Sequence, residues 1–470
     1  MRRGRQRASG SPPRATYRLQ LDGRFGLGDA ARLVPYLAAL GVSHLYCSSY
    51  LRARAGSTHG YDVIDHNTID PELGGEPALE TFVAALRRHR MGHVLDFVPN
   101  HMGVARADNS WWLDVLAWGP AAPAAEWFDI DWRPATRALH GKVLLPFLGD
   151  HYGRVLARGE LRPVFDADAG TLSIWYHEHR FPLAPRTYPA ILGAPSRAAV
   201  DGRARRTLER VLAAFGTFPT VAPDDGPRGA LVAEGARRQR ALAHLTARTP
   251  AVQRWIDARL ARLGRRDAAA RLHQVLEGQP WRLAFWRVAD DEINYRRFFN
   301  VNDLAGLRVE RAALFDHIHR LVFRLIAEGR LDGLRIDHVD GLFDPRAYCR
   351  RLADGAGPRT WIVVEKILAP DEPLRDWAVA GTTGYDVLNL LTRVLIDPAD
   401  AASLAAVYAR RTGDRVRFDE IAYQARKHVM NFLLGSELQV LAHQLDGLSE
   451  VHWPRRRRRC GRRGSRRSSP

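Results

Sequence analysis

The chain has 470 residues, 46% of them hydrophobic, which supports one large folded unit or two to three domains and excludes a wholly disordered polypeptide. No stretch approaches the ~20 uncharged apolar residues of a membrane span, and the Arg- and Pro-rich opening from Met1 to Ala15 lacks the apolar run of a secretory signal, so a cytoplasmic protein with no membrane partner is expected. The formal net charge is +18, but nine of those charges are arginines between Arg455 and Arg467, a local excess that does not designate a nucleic-acid partner.

After a disordered arm over 1–14, Ala15 to Leu21 reads as a first strand. A helix follows over Asp29 to Leu40, with Leu33, Val34, Leu37 and Leu40 at helical spacing, Gly41 as its stop and Pro35 delaying or bending its start. His44 to Cys47 is a second strand, and a helix over Leu79 to Arg90 leads to a third, His93 to Val98. Two more strands end at Asp337 and Glu365, and a sixth falls just before Gly381. Strands alternating with helices are the signature of a parallel α/β fold, with strands one to three in 15–103 and strands four to six in 331–400.

The intervening 104–330 is too long for one crossover and must hold inserted subdomains. Asn109 to Arg133 is Trp-rich, Val155 to Tyr188 contains short β-like runs, and Arg203 to Leu272 is Ala/Arg/Leu-rich with helical spacing. A helical segment over 401–450 follows the sixth strand. The Arg-rich 451–470 cannot bury apolar surface and should be disordered. Its abrupt onset reads as translation in a shifted frame, with a genuine polyanion- or membrane-binding tail as the alternative. Cys47, Cys349 and Cys460 are widely spaced with no CxxC pattern, which indicates free thiols rather than a disulfide framework or a zinc site.

The densest chemistry lies in Leu331 to Leu342, LDGLRIDHVDGL. Strand alternation puts Arg335 and Asp337 on one face and Leu334 and Ile336 on the other. The guanidinium is then expected to hold Asp337 ionised, as a nucleophilic carboxylate requires; a buried pair that only fixes packing is the alternative. WIVVEKIL, from Trp361 to Leu368, ends an apolar strand on Glu365. Adjacent strands lie about 4.8 Å apart, so two strand-end carboxylates can reach the roughly 5 to 5.5 Å separation of a retaining glycosidase, Asp337 as nucleophile and Glu365 as acid/base. Val363 and Val364 are expected to limit hydration around Glu365; an exposed glutamate paired with Lys366 is the alternative. LDFVPNH, from Leu95 to His101, is a strand end and turn in which Asp96 braces the strand ends and His101 offers a hydrogen bond to a sugar hydroxyl.

LDFVPNH, GLRIDH and VVEKI, in that order, resemble the first three of the four sequence regions of the α-amylase superfamily, glycoside hydrolase family 13. The flanking strings YRLQL at Tyr17, GSTHGYD at Gly56, PELGG at Pro71, INYRRFF at Ile293 and GTTGYD at Gly381 narrow the resemblance to the maltooligosyl trehalose synthases, over about Ala15 to about Leu445. It implies a (β/α)8 TIM-type barrel, incomplete here at about six strands, and no cofactor or metal. It also implies an intramolecular transglucosylation that converts the reducing-end α-1,4 bond of a maltooligosaccharide to an α,α-1,1 bond, coupled to a maltooligosyl trehalose trehalohydrolase. By the same resemblance Asp337 forms the glycosyl-enzyme bond, Glu365 protonates the departing oxygen, Arg335 and His101 flank the anomeric centre, and Tyr61 stacks on the sugar. His59 and Asp62 beside Tyr61, and Asn100, His338, Asp340 and Lys366 beside the core strings, are further candidates for sugar contact. His338 and Asp340 are equally read as a cap on the next helix. Asn100 stands where amylases can use a calcium ligand, but no acidic cluster accompanies it.

Trp111, Trp112, Trp118, Trp127 and Trp132 could stack on sugar, although most are expected in the core. His428 and His443 read as ordinary surface or core positions. The chain departs from the family in having six visible strands, in lacking the fourth region with its third carboxylate, and at Ser49 and Asn300. Three readings stay open: an isomerase completed by a partner fragment, an α-amylase-like hydrolase, and a catalytically inactive glucan-binding remnant.

Overall fold

The computed structural model describes residues 12–200, 202–369 and 371–451, and the Arg-rich tail, most of the N-terminal arm and Cys460 lie outside them. Six parallel strands form the central sheet in sequence order: β1 (Thr16–Leu19), β2 (His44–Cys47), β3 (Gly92–Phe97), β4 (Gly333–Ile336), β5 (Trp361–Val364) and β6 (Gly381–Thr382). The sheet curls into a half-barrel, as the incomplete-barrel reading requires. β6 lies on Gly381–Thr382 rather than just before them, because Val363 and Val364 pair there.

Helices α1 (Leu27–Ala39) and α2 (Gly75–Arg88) follow β1 and β2 and pack on each other, burying Leu27, Ala30, Val34 and Leu37 against a face that includes Leu79, Phe82 and Leu86. Pro35 neither delays nor breaks α1. It is exposed, on the solvent side of the helix, where a missing backbone donor costs least. Gly41, at φ +93°, stops the helix by donating to the Ala38 carbonyl. Helices α3 (Arg320–Ala327) and α4 (Pro345–Ala356) flank β4 in the chain. Gly333 opens β4 where a side chain could not fit, since a Cβ would stand 2.7 Å from the Trp361 carbonyl oxygen.

The insertion between β3 and β4 is built of small units. His101–Gly103 pairs with Val301–Gly306, Val143–Leu148 pairs with Trp281–Phe285, and Arg162–Asp166, Thr171–Tyr176 and His179–Pro182 form an antiparallel sheet. Helices Gly202–Gly216, Gly229–Arg248, Pro250–Leu263 and Ala269–Glu277 complete it. Trp112 is fully buried against Phe128 and Tyr295, while Trp111, Trp118, Trp127 and Trp132 are half-buried against the core. Cys47 and Cys349 are buried free thiols.

Past β6 come α5 (Tyr385–Val394), α6 (Ala401–Thr412), α7 (Phe418–Phe432) and α8 (Gly435–Val451), and no apolar side chain on any of them is fully buried. His428 and His443 are exposed there. The main tie of this segment to the rest is Arg297, which holds Glu437 at 2.9 Å and the Leu433 carbonyl at 3.0 Å. No helix among the described residues is long and apolar enough to cross a membrane.

Candidate active site

The alternation of β4 aims Arg335 and Asp337 to the inner side of the curl, and register places Arg335 opposite Asp96 of β3 and Val363 of β5. The Arg335 guanidinium then touches three carboxylates: Asp337 at 2.6 Å, Asp96 at 2.7 Å and Glu365 at 3.0 Å. A fork this compact brings the two rim carboxylates, Asp337 and Glu365, to one place. Backbone bonds set their height, the Asp337 N–H donating to Phe97 and the Glu365 N–H to Ile336, each at 2.9 Å. His338 follows in the left-handed region at φ +46°, a conformation that costs energy in a non-glycine residue; there its N–H donates to Glu365 at 2.9 Å.

Arg335 does not simply hold Asp337 ionised. Burial pushes the Asp337 carboxyl up to about 7, and the nearby Asp96 and Glu365 carboxylates push the same way. Arg335 offsets only part of this, because its charge is shared three ways. The neighbours of the Glu365 carboxylate are Arg335 and the His338 N–H rather than the valines before it, and a quarter of its side chain stays open. Lys366 is not its partner, since it pairs with Asp340 at 3.1 Å and Glu372 at 3.0 Å.

Asp96 lies beneath the rim, fully buried, and braces the strand ends. One of its oxygens takes Arg335, and the other accepts from the Tyr46 and Tyr61 hydroxyls, both at 2.6 Å. Arg18 of β1, opposite Tyr46 in the register, donates to the Tyr61 hydroxyl at 3.0 Å and lies over the Tyr46 ring. Tyr61 is thereby fixed from two sides, with the His59 ring stacked beside it. Burial pushes the His101 imidazole down to about 3, which leaves it neutral. Its Nε2 is 3.2 Å from the Tyr61 carbonyl and its Nδ1 3.4 Å from the Asn100 amide, so both ring nitrogens already have partners.

These groups line an open cleft of about 770 Å3. Of the candidates, Asp337, Glu365, Arg335, His101, Tyr61 and His59 reach it. Asp96 supports the wall from beneath. Asp62 turns away and accepts from Ser57 at 2.5 Å, Asp340 is engaged by Lys366, and Asn100 accepts from Arg296 at 2.7 Å. His338 packs against Phe298 and Phe299 and serves the cleft through its backbone. Arg18, Tyr46, Phe298, Leu304, Thr383, Tyr385 and Leu388 also line the cleft without having been singled out by sequence. The Phe298 ring packs at a tilt against His101, centroids 4.4 Å apart. Among the described residues no group of three or more His, Cys, Asp or Glu side chains is arranged to hold a metal.

Residues 27–153 match the model of the α-amylase catalytic domain. A Mycobacterium tuberculosis protein assigned as a maltooligosyl trehalose synthase is 36% identical over 437 residues, 92% of this chain and 45% of that protein. The solved maltooligosyltrehalose synthase of Arthrobacter ramosus superposes with a TM-score of 0.68 at 36% identity, over 92% of this chain and 45% of that one. A hypothetical maltooligosyl trehalose synthase of Sulfolobus tokodaii gives 0.63 at 27% identity, over 94% and 46%. The chain thus spans about half the length of the relatives it matches. Over that span the chain is similar to the maltooligosyl trehalose synthases of the α-amylase superfamily.

Proposed function

We propose that the cleft carries out retaining transglucosylation on α-1,4-glucans, converting the reducing-end α-1,4 linkage of a maltooligosaccharide to α,α-1,1. The observation that carries this reading is the single Arg335 fork joining Asp337 and Glu365 at the cleft rim. Asp337 attacks the anomeric carbon as the glycosidic bond breaks, and Glu365 gives its proton to the departing oxygen. The released glucose turns over, Glu365 takes the proton of its anomeric hydroxyl, and that oxygen displaces Asp337 with net retention. Tyr61, held flat by Asp96 and Arg18, offers an aromatic face to the sugar ring. Asp337 must be ionised to attack, so turnover rises as pH climbs through about 7. A trehalose-terminated product is the substrate class of a trehalohydrolase, and coupling to such an enzyme in the cytoplasm belongs to the same proposal.

A second reading, hydrolysis, is favoured by the cleft's outer wall. Tyr385 and Leu388 line it yet are 38% and 55% exposed, and water that reaches the intermediate competes with the glucose hydroxyl. Incubation of the chain with maltopentaose separates the two. A fall in reducing ends that Asp337→Asn abolishes supports isomerisation, a rise supports hydrolysis, and no change in either direction refutes catalysis by this chain.

A further inference from the structure

A second cavity, of about 470 Å3, lies within the insertion, and none of its lining residues comes from β1–β6. One wall is the end of the helix Ala269–Glu277. Lys142 Nζ donates to the Glu277 carbonyl at 2.6 Å, and Arg186 donates to the next carbonyl, of Gly278, at 2.7 Å. Capping a helix end uses one donor of each cation and is favoured by the helix dipole. The remaining donors are not explained that way. Arg186 has no salt-bridge partner among the described residues, and the Glu277 carboxylate is taken by Arg282 through two contacts of 3.0 Å, leaving Lys142 3.8 Å away. Burial pushes both cations below their ordinary pKa values; for Lys142 the Glu277 carboxylate opposes this in part, and Arg282 and Arg186 add to it. Arg133, a third cation of the lining, is already paired with Asp224.

The facing wall is apolar and rigid. Trp118 meets Phe218 edge to face at 5.3 Å, and its indole lies so close to the helix Gly229–Arg248 that a Cβ at Gly235 would come within 2.1 Å of it. Gln279, almost fully buried, locks the floor by accepting from the Ala184 N–H at 2.8 Å and donating to the Val275 carbonyl at 2.7 Å. The volume falls in the range of small-molecule sites, roughly 300 to 1,000 Å3.

We propose that this cavity binds a small organic anion, with a phosphate or carboxylate between Lys142 and Arg186 and a flat, weakly polar body against Trp118 and Phe218. Two adjacent cations with donors left over from the helix end supply charge-assisted hydrogen bonds, and the aromatic pair supplies contact area that a bare inorganic ion cannot use. The inference is independent of the chemistry in the cleft. Calorimetric titration of the whole chain with phenyl phosphate tests it, with inorganic phosphate, phenol and benzoate as the separate halves and the carboxylate counterpart. One site is expected, at which phenyl phosphate or benzoate binds at least tenfold more tightly than inorganic phosphate or phenol; the tighter of the two fixes the anion. Lys142→Met and Arg186→Met each weaken it tenfold or more, and Lys142→Arg retains it. Absence of binding to the unaltered chain overturns the proposal, as does phenol or inorganic phosphate binding as tightly as the combined probes. Binding unmoved by both methionine variants, with circular dichroism unchanged, also overturns it.

Discussion

Helices α3 and α5 carry the same kind of sequence and meet different fates. RLVFRLIA in α3 sends Leu321, Val322 and Leu325 into the core, whereas YDVLNLLTRV in α5 leaves Leu388, Leu390 and Leu391 exposed at 55%, 60% and 61%. Apolar spacing supplies a stripe; a second surface must supply the burial. For α3 that surface is α4 and the strand Val63–Ile69, and α5 has no comparable partner among the described residues. The molecule thus divides into a packed region that holds the carboxylates and a helical region that displays its apolar face.

The sharpest way to break this division is through the two regions' contributions to one cleft. Asp337→Asn in the packed region is expected to lower turnover of maltopentaose roughly ten-thousandfold. Leu388→Ala, from α5, is expected to change it less than about tenfold, because it alters contact area and no charge. Comparable losses from both, in a reducing-end assay, would erase the distinction.

Stability gives the next largest contrast. Leu334 is fully buried on β4, and Leu334→Ala is expected to cost about 2 to 5 kcal/mol in urea unfolding. Leu391→Ala, on the displayed face, should stay within about 0.5 kcal/mol. A smaller effect sharpens the electrostatics of the packed region. Asp337 is pushed up to about 7, so the folded chain binds that proton more tightly than the unfolded one. The stability it contributes is full below its ordinary value near 4 and is lost as pH rises through about 7. Asp337→Asn should therefore gain on the parent chain by roughly 1 to 3 kcal/mol between pH 4 and pH 8, measured by urea unfolding at both. The smallest free-energy difference is local opening: brief trypsin treatment should cut at Arg393, Arg410 and Arg417, all exposed, before any site between β1 and β5.

How far the sequence disclosed the site follows from how each residue is carried. Arg335 and Asp337 were legible because a strand's two-residue period sorts side chains without knowledge of the neighbours; Glu365 and Asp96 were legible from their places at the ends of apolar strands. Lys366 and Asp340 were grouped with them by adjacency alone; both lie past the strand ends, Asp340 in the short turn Val339–Gly341, and the two pair with each other. Arg18 and Tyr46 obey the period too, but their meeting depends on the register between β1 and β2, which no single strand contains. Phe298 and Leu304 arrive from the far end of the long insertion; Phe298 lies in the string INYRRFF, but nothing in that string shows that it returns to the strand ends. For Asp337, the residue types announced the ion pair but neither the burial of the carboxyl nor the sharing of Arg335 among three acids, which is why its titration was misjudged.

The two outer strands of the sheet are short, four residues in β1 and two in β6. Strands so brief give another polypeptide almost no ladder to extend, so they template fibril growth poorly. The greasy helical face beyond β6 is the opposite, adhesive through side chains alone. Clumping of this chain should therefore be amorphous, dissolve in mild detergent, and leave amyloid dyes dark.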